Sequence, residues 1–573
     1  MQHPLFLFYA ERIKKYIPEE FHSFVAVEPP KESKFGDFSS NIAMVLAKKV
    51  KQDPMEFAEK LRGQFEKDEC FEQVNVKRPA FINWNVPKEI LKKYFPHMLA
   101  KNFGKINLGR GTPVNIEYVS ANPTGPLHAG HVRGAVSGDV LARLLQFTGF
   151  SVTKEFYIND AGKQIEKLAQ SLYYRYAELY GRAEDEPAKL EYGGEYLIDV
   201  AKKIKRAHGR DFLDKDKSEW CEFFKQFAIN DIMKGIKKDL KDLGVHHDIF
   251  FSEKELIKNR NVDQVLQVLD LKGLLYRGVL DCPKGADNED WEPREQLLFK
   301  STQFGDDVDR PLQKSDGSWT YFATDIAYHK NKMERGFEKM IDFWGADHGG
   351  YVKRMQAAVA ALSDNTKTLK VKLVQLVKLT EDGKEVKMSK RAGTFVTARD
   401  ILDKVGKDII RFIMLMRRDD APLDFDFKKV VDQSKDNPVF YVQYAYARIN
   451  SVLRQFSATF SDRDCEINTQ QVNLDLLDAP SYWAMLKVLA DWPRQITMAA
   501  NHREPHRLAF YLYDVAAVFH SLWNSGKDDA QLRFVLANDF EKTYARIALL
   551  SAVKNVLGIG FSIIGVTPVE ELR

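Results

Sequence analysis

One stretch of the sequence, residues 114–133, restricts the fold of this chain more than any other. Its first five residues, VNIEY, alternate apolar and polar side chains, which is typical of a strand. A turn follows, because the alternation is interrupted by Asn122, Pro123, Gly125 and Pro126. His128 and His131 then share one face at the start of a helix, where free backbone N–H groups and the helix dipole favour a phosphate.

Two simpler interpretations of this histidine pair stay open at this point. Two histidines on a helix are often capped or half-buried side chains with a structural role only. Zinc is the other option, but helical zinc pairs are usually four residues apart and need a third ligand. No Cys cluster or acidic partner stands out nearby in the sequence, so we expect no protein-bound metal.

The segment PLHAGH, residues 126–131, resembles the ATP-binding HIGH element of class I aminoacyl-tRNA synthetases. The longer string SANPTGPLHAGH is similar to that of the arginyl-tRNA synthetase family in particular, with Ala129 in place of the usual Ile. The resemblance implies that Pro126 and Gly130 bind ATP, with Gly130 letting the nucleotide come close. It also implies that His128 and His131 are catalytic and stabilise charge on the phosphates.

A second segment, EDGKEVKMSKRAGT at residues 381–394, follows an apolar stretch that predicts one strand over residues 371–379. Alone, such a Lys-rich loop is usually a solvated hairpin. After a HIGH-like element it resembles the KMSK loop of the same class, which implies catalytic Lys387 and Lys390 and ATP-binding Met388 and Ser389. Ammonium groups offset the charge that grows when a carboxylate attacks the α-phosphorus of ATP. The expected substrate is ATP with Mg²⁺.

The resemblance covers nearly the whole chain and implies its domain organisation. At 573 residues the chain is too long for a single core. We expect an α/β catalytic domain with a doubly wound, Rossmann-like parallel sheet, an α+β N-terminal domain and an all-α anticodon-binding bundle. The predicted divisions are a tRNA-contacting domain at 1–106, a catalytic domain at 107–370 with a helical insertion at about 165–290, the KMSK loop and linking helices at 371–430, and the helical domain at 431–573.

Composition and charge exclude several classes of protein. The formal net charge of +4 is nearly balanced, which disfavours a protein that coats nucleic acid without specificity. The four cysteines are far apart with no CxxC pair, so neither a disulfide framework nor a zinc ribbon is indicated. No apolar run approaches the roughly 18 residues of a membrane span, and the N-terminus lacks a basic signal region. We expect a cytoplasmic monomer that does not bind membranes.

The candidate amino-acid site follows from the chemistry of a guanidinium group. This group is planar, permanently charged and forked, so its selection requires carboxylates and aromatic faces in fixed geometry. If residues 320–329 are helical, Tyr321 and Asp325 lie on one face. By resemblance these two bind the guanidinium of arginine. Glu117, Ser120 and Asn122 would bind its other end, with the α-amino group as the expected target. Which carboxylate meets which group stays open.

Polar residues also follow a later strand. The sequence IDFWGADHGGY, residues 341–351, predicts a strand and a tight turn at the carboxyl edge of the sheet, where ligands bind in open α/β folds. A purely structural turn explains the glycines about as well. We expect Gly345, Asp347 and His348 to contact the ribose or the adenine of ATP.

Two further segments resemble tRNA-contacting regions of the arginyl-tRNA synthetase family. The first, RPAFINW at residues 78–84, is similar to the region that meets the D-loop corner of tRNA. There Phe81 is expected to stack on a splayed base and Asn83 to hydrogen-bond its edge, although a Phe in a strand is more often part of the core.

The second segment, NPVFYVQYAYARI at residues 437–449, opens a helix with an Asn cap and a Pro in the first turn. It resembles the start of the anticodon-binding domain. We expect Phe440 to pack in the core, because aromatic stripes usually do. Stacking and hydrogen bonding to anticodon bases are expected of Tyr441, Tyr444 and Arg448.

The motifs together predict a class I synthetase that makes arginyl-adenylate from arginine and ATP and passes arginine to tRNA(Arg). One alternative is another ATP-using enzyme with an HxGH helix, such as a different class I synthetase or a nucleotidylyltransferase. The first domain and the pairing of Tyr321 with Asp325 speak against it. The other alternative is a synthetase-like RNA-binding protein that has lost activation, but both ATP elements are intact in the sequence.

Overall fold

The computed structural model describes residues 4–182, 190–280, 294–314, 316–386, 396–434 and 436–571. The chain divides into two compact units. One unit is Gly109–Asp432, and the other combines the segment before residue 109 with the segment after residue 432. The first and last predicted domains therefore share one unit, which the sequence did not indicate.

The segment before residue 109 has an aromatic core. Its elements are α1 Leu5–Lys14, β1 Phe38–Ser40, α2 Ile42–Val50, α3 Pro54–Phe65, β2 Glu72–Lys77, β3 Phe81–Asn85 and α4 Lys88–Met98. The strands form an antiparallel sheet in the order β1-β3-β2. Tyr9 and Trp84 lie with ring centroids 5.3 Å apart and Phe65 and Phe71 with centroids 4.4 Å apart, all buried. Burial of four large rings holds the helices on the sheet.

The unit Gly109–Asp432 contains the central parallel sheet. Its elements are β4 Pro113–Glu117, α5 Ala129–Phe147, β5 Ser151–Ile158, α6 Lys163–Glu178, α7 Tyr196–His208, α8 Lys217–Asp242, β6 Ile249–Ser252, α9 Glu253–Lys258, α10 Asn261–Leu271, β7 Leu275–Gly278, β8 Gln296–Phe299, β9 Arg310–Pro311, α11 Tyr321–Glu334, β10 Lys339–Gly345, α12 Val352–Ser363, β11 Thr368–Val374, β12 Val377–Glu381, β13 Lys384–Glu385, α13 Ala398–Val405, α14 Lys407–Leu415, β14 Leu423–Asp426 and α15 Phe427–Val431. Five strands, in the order β11-β10-β4-β5-β6, form the sheet with every neighbouring pair parallel. The predicted fold class is confirmed.

Two sequence predictions are corrected by the strand pairing. The single strand predicted over residues 371–379 is two strands, since β11 pairs with β10 and β12 pairs with β14 in a separate sheet. The backbone N–H of Gln375, between them, donates to the carbonyl of Asp419. In addition, β6 lies inside the segment predicted as a helical insertion, yet it is the edge strand of the central sheet. Four residues in a Lys- and Glu-rich context give too short a pattern to recognise.

The segment after residue 432 is a helical bundle. Its helices are α16 Pro438–Thr459, α17 Pro480–Ala490, α18 Trp492–His502, α19 His506–Asp528 and α20 Phe540–Ile564. By length and composition alone α20 is apolar enough to cross a membrane, with a mean hydropathy of 1.9. Most of its apolar window is buried, and it packs against α16, α17 and α19. That is the environment of a core helix, so the feature is weak evidence for a membrane span.

Candidate active site

The central sheet has a switch in strand order beside β4. The chain adds β5 and β6 on one side of β4 and later returns to add β10 and β11 on the other side. In open parallel sheets, ligands bind at the carboxyl ends of the strands next to such a switch. The residues that follow β4, β5, β6 and β10 therefore line one candidate cleft.

The histidine pair lies at the first turn of α5. His128 is the residue before the helix, with an extended backbone, and its ring stacks on that of His131 with centroids 3.7 Å apart. The backbone N–H of His128 donates to Nδ1 of His131 at 3.2 Å. The Nε2 atom of a neutral His131 therefore carries the proton and is the donor. A Cβ on Gly130 would lie 3.2 Å from the His128 ring, so the glycine keeps this turn tight.

The segment just before α13 contacts the turn that carries the histidine pair. Thr397 forms an antiparallel bridge with His128, and the N–H of Ala398 donates to the carbonyl of Leu127 at 2.7 Å. Lys387 and Lys390, predicted to be catalytic, and Met388 and Ser389, predicted to bind ATP, lie outside the described residues. Thr397 and Ala398, the next residues with described contacts, lie within hydrogen-bond distance of the turn that carries the histidines.

A buried arginine, not predicted from the sequence, ties α5 to the segments around this loop. The guanidinium of Arg133 donates to the carbonyls of Gln375 at 3.1 Å, Arg418 at 2.7 Å and Ala421 at 2.8 Å. The Arg133 side chain is fully buried. Because one guanidinium carries several N–H donors, Arg133 holds residue 375 and residues 418–421 against α5 at the same time.

A buried lysine holds Glu117 at the end of β4. Nζ of Lys332 lies 2.5 Å from Oε2 of Glu117 and 3.1 Å from Oδ1 of Asp342, and none of Lys332 is exposed. The Ser120 hydroxyl donates to the other oxygen of Glu117 at 2.8 Å. Burial raises the pKa of Glu117 despite Lys332, whereas Lys332 and His329 outweigh burial at Asp342 and lower its pKa. Both oxygens of Glu117 are thus already engaged within the protein.

Asp325 lies on α11 beside this network. Its Oδ2 accepts a hydrogen bond from the hydroxyl of Tyr351 at 2.6 Å. Burial raises the pKa of Asp325 to about 6, although the Tyr351 hydroxyl lowers it. Tyr321, predicted to share the site, is at the first turn of α11 and is 64% exposed, with the Lys314 ammonium 5.5 Å from its ring centroid. Its ring is therefore free of a buried packing role.

A second carboxylate of the cleft, Glu253, was not predicted. It directly follows β6 and is only 7% exposed. Burial raises its pKa to about 7, and the charges of Asp325 and Asp160 add to the rise. The only sequence signal is an acidic residue just after a short apolar strand. The described residues contain no group of three or more His, Cys, Asp or Glu side chains placed to hold a metal ion.

The remaining predicted ligands of the catalytic unit lie on exposed turns. The Asn122 amide is exposed and donates to Gln164 Oε1 at 3.1 Å. Gly345 ends β10, and a Cβ there would lie 2.4 Å from Oδ1 of Asp347, so a side chain at this position would displace the exposed Asp347 carboxylate. Asp347 and His348 follow on a short helical turn with exposed side chains 3.6 Å apart. These groups are accessible to a ligand at the edge of the sheet.

Phe81 and Asn83 line a cavity of about 360 Å³ in the first domain. Phe81 is exposed, whereas Asn83 is 2% exposed. The Asn83 amide lies 3.4 Å from Asn75 Oδ1 and 3.5 Å from the carbonyl of Phe81, which are long hydrogen bonds. A ligand would reach the Asn83 amide only from inside the cavity.

A second cavity, of about 560 Å³, is lined by residues of α16 and α19. The Arg448 guanidinium stacks 3.8 Å from the ring centroid of Tyr444, and its Nη2 donates to that hydroxyl at 2.6 Å. His520 Nε2 lies 3.0 Å from the carbonyl of Tyr441. Phe440 is half-buried and lines the same cavity, so the prediction that it packs in the core is wrong. The reason is that Phe440 shares its helical face with Tyr444 and Arg448, which line the cavity, whereas the buried face of α16 carries Val439, Val442 and Tyr446.

A parallel sheet with a histidine-bearing turn and helix after its first strand, a later segment that pairs with that turn, and a helical bundle after residue 432 define a class I aminoacyl-tRNA synthetase. The family models that match are the arginyl tRNA synthetase N terminal domain over residues 9–86, the class I (R) tRNA synthetase catalytic domain over 95–451, and the DALR anticodon binding domain over 442–572. The chain belongs to the arginyl-tRNA synthetase family, the class I ligases that activate arginine with ATP and charge tRNA with it.

Individual relatives agree with this assignment. The chain is 50% identical to an arginine–tRNA ligase of Ruegeria pomeroyi over 96% of this chain and 94% of that one. It is 51% identical to one of Cereibacter sphaeroides over 96% and 95%. The arginyl-tRNA synthetase structure of Thermus thermophilus has the same fold, with a TM-score of 0.75, 19% identity, and coverage of 99% of this chain and 100% of that chain.

Proposed function

We propose that the carboxyl edge of the central sheet binds the guanidinium of arginine between Asp325 and Glu253. The supporting observation is that both are carboxylates with pKa values raised by burial, and neither forms an ion pair with a Lys, Arg or His of the described residues. A permanent cation between them relieves their repulsion and restores the ionised form of each. Tyr321 supplies the aromatic face that covers the guanidinium.

The other end of arginine lies at the turn that follows β4. Ser120 and Asn122 on this turn bind the α-amino group. Glu117 contributes its negative charge and holds the Ser120 hydroxyl in place, because its own oxygens are engaged by Lys332 and Ser120. This arrangement presents the arginine carboxylate toward the start of α5.

Adenylate formation takes place at the histidine pair. An oxygen of the arginine carboxylate attacks the α-phosphorus of ATP, the bond from that phosphorus to the β-bridging oxygen breaks, and pyrophosphate leaves. His128 and His131 donate hydrogen bonds to the phosphoryl oxygens as negative charge grows on them, and Lys387 and Lys390 supply ammonium groups from the loop. Mg²⁺ enters as part of the ATP substrate.

The nucleotide is held by backbone and short side chains. Pro126 and Gly130 shape the turn beneath the phosphates, and Met388 and Ser389 contact ATP from the loop. The exposed turn after β10 meets the ribose or the adenine through Gly345, Asp347 and His348. Pro126 and Gly130 lie just before and at the start of α5, and Gly345, Asp347 and His348 lie at and just after the end of β10, where nucleotides bind in this fold.

Transfer to tRNA(Arg) completes the reaction. A hydroxyl of the terminal ribose attacks the arginyl carbonyl and AMP leaves. The cavity at Phe81 and Asn83 receives a D-loop base, and the cavity at Tyr441, Tyr444 and Arg448 receives anticodon bases, by stacking and hydrogen bonding. The enzyme acts in the cytoplasm as a monomer.

Charging assays with each amino acid in turn test this assignment. Asp325→Asn should raise the KM for arginine about 100-fold or more, because a buried guanidinium loses its charged partner. The matched control is Asp364→Asn, which neutralises an exposed carboxylate of the same unit. Activation of lysine or cysteine in place of arginine, or an unchanged arginine KM in Asp325→Asn, would overturn the proposal.

A further inference from the structure

Tyr351 contacts the proposed guanidinium site, although the sequence analysis assigns it no role. It ends the short helical turn that follows β10 and points its hydroxyl at Oδ2 of Asp325, 2.6 Å away. The ring is held edge-on by Phe322 and Trp344, with centroids 6.0 and 5.9 Å away, and by the Arg354 guanidinium 4.9 Å from its centroid. Contacts on several sides fix the ring, so the hydroxyl has one preferred direction.

We propose that Tyr351 is a positioning residue for arginine recognition: its hydroxyl fixes Oδ2 of Asp325 and keeps this carboxylate ionised, which leaves Oδ1 for the guanidinium. This inference rests on the proposed function of Asp325. A hydrogen bond from a neutral donor to a buried carboxylate stabilises the charged form without cancelling its charge. A lysine or arginine in the same place would instead compete with the substrate for the aspartate.

The surroundings of Asp325 make this hydrogen bond important. The charged and titratable groups that act on it from the neighbouring elements are Tyr351 from the turn after β10, His329 on α11, Glu117 from β4, Asp342 from β10, Glu253 from α9 and Tyr157 from β5. The carboxylates among them oppose its ionisation, and burial is the largest opposing effect. The Tyr351 hydroxyl is the largest effect that favours ionisation, and the pKa of Asp325 is nevertheless raised to about 6.

The test is the pH dependence of arginine affinity in Tyr351→Phe, a variant that keeps the ring and removes only the hydroxyl. Arginine binds the ionised aspartate, so affinity falls as pH drops through the pKa of Asp325. Loss of the hydrogen bond raises this pKa, so in the variant the fall should begin about one pH unit higher. At pH 6 the KM for arginine of the variant should be about fivefold that of the wild type, and well below pH 6 about tenfold, while kcat and the KM for ATP change by less than about twofold.

The matched control is Tyr276→Phe, which removes a Tyr–Asp hydrogen bond of 2.9 Å, to Asp309, elsewhere in the same unit. It should leave the arginine profile unchanged. Partial unfolding of Tyr351→Phe would lower kcat at every pH but would not move the profile along the pH axis. The inference is overturned if the arginine KM of Tyr351→Phe has the same pH dependence as that of the wild type.

The Asp325→Asn variant separates this inference from the function on which it rests. Only the role of Tyr351 is wrong if Asp325→Asn abolishes the activation of arginine but Tyr351→Phe does not change the pH dependence of the arginine KM. If Asp325→Asn leaves the arginine KM unchanged, the proposed guanidinium site is wrong and the inference falls with it.

Discussion

Removing the buried charge of Lys332 is expected to destabilise the catalytic unit strongly. The ammonium lies 2.5 Å from Glu117 and 3.1 Å from Asp342, and neither Lys332 nor the side chain of Asp342 is exposed. Lys332→Met fills a similar volume but leaves two carboxylates facing each other without their cation. Breaking a buried pair in this way costs about 3–5 kcal/mol, against about 0–1 kcal/mol for a surface pair.

Thermal unfolding of the full chain at several pH values measures this effect. The melting temperature of the unit should fall by several degrees near neutral pH, and by less in acid, where Glu117 becomes protonated and the uncompensated charge disappears. Glu117→Gln in the Lys332→Met background should recover part of the loss, since Asp342 keeps its contact with His329 at 2.9 Å.

The control for this prediction is Lys330→Met, two residues away on the same helix, which removes a pair with the exposed Glu334. It should change stability by less than about 1 kcal/mol. The reasoning is refuted if Lys332→Met has the same melting temperature as the wild type. It is also refuted if adding Glu117→Gln to Lys332→Met lowers the melting temperature further instead of raising it.

Further predictions concern catalysis, pH and RNA. His131→Ala should slow adenylate formation about 100-fold or more in single-turnover assays and leave tRNA affinity unchanged, because a donor aimed at developing phosphoryl charge is lost. The wild-type KM for arginine should rise as pH falls through about 6, the pKa of Asp325, while the KM for ATP does not follow the same titration. Tyr444→Ala should weaken tRNA binding by about 1–3 kcal/mol in filter-binding assays with no effect on the arginine KM. Arg133→Met should lower the melting temperature, since three backbone carbonyls lose their donor.

The local pattern of the sequence was enough to place the strand, turn and helix around residues 114–133. The helix begins at Ala129, so His128 is the residue before the helix and not part of the helical face that the spacing predicted, and its ring meets that of His131 across the first turn. The α/β fold class followed from the same local order and from the family resemblance. The predicted roles of individual site residues stay predictions.

The pairing of the strands could not be predicted from local sequence patterns. The apolar stretch over residues 371–379 reads as one strand, because its hydrophobicity does not show that β11 and β12 find partners in different sheets. For the same reason β6 was hidden in a helical context. A strand of four residues is defined by its neighbour β5, not by its own alternation.

The sequence by itself determined the strand, turn and helix around residues 114–133, because neighbouring residues on a strand and a helix have fixed relative directions. Only the tertiary structure decided the electrostatics of the carboxylates Glu117, Glu253 and Asp325. Lys332 reaches Glu117 across 215 positions of the chain, and Glu253 acts on Asp325 from another element. Burial and distance between such groups set their charges, and both exist only once the separate strands and helices are packed together.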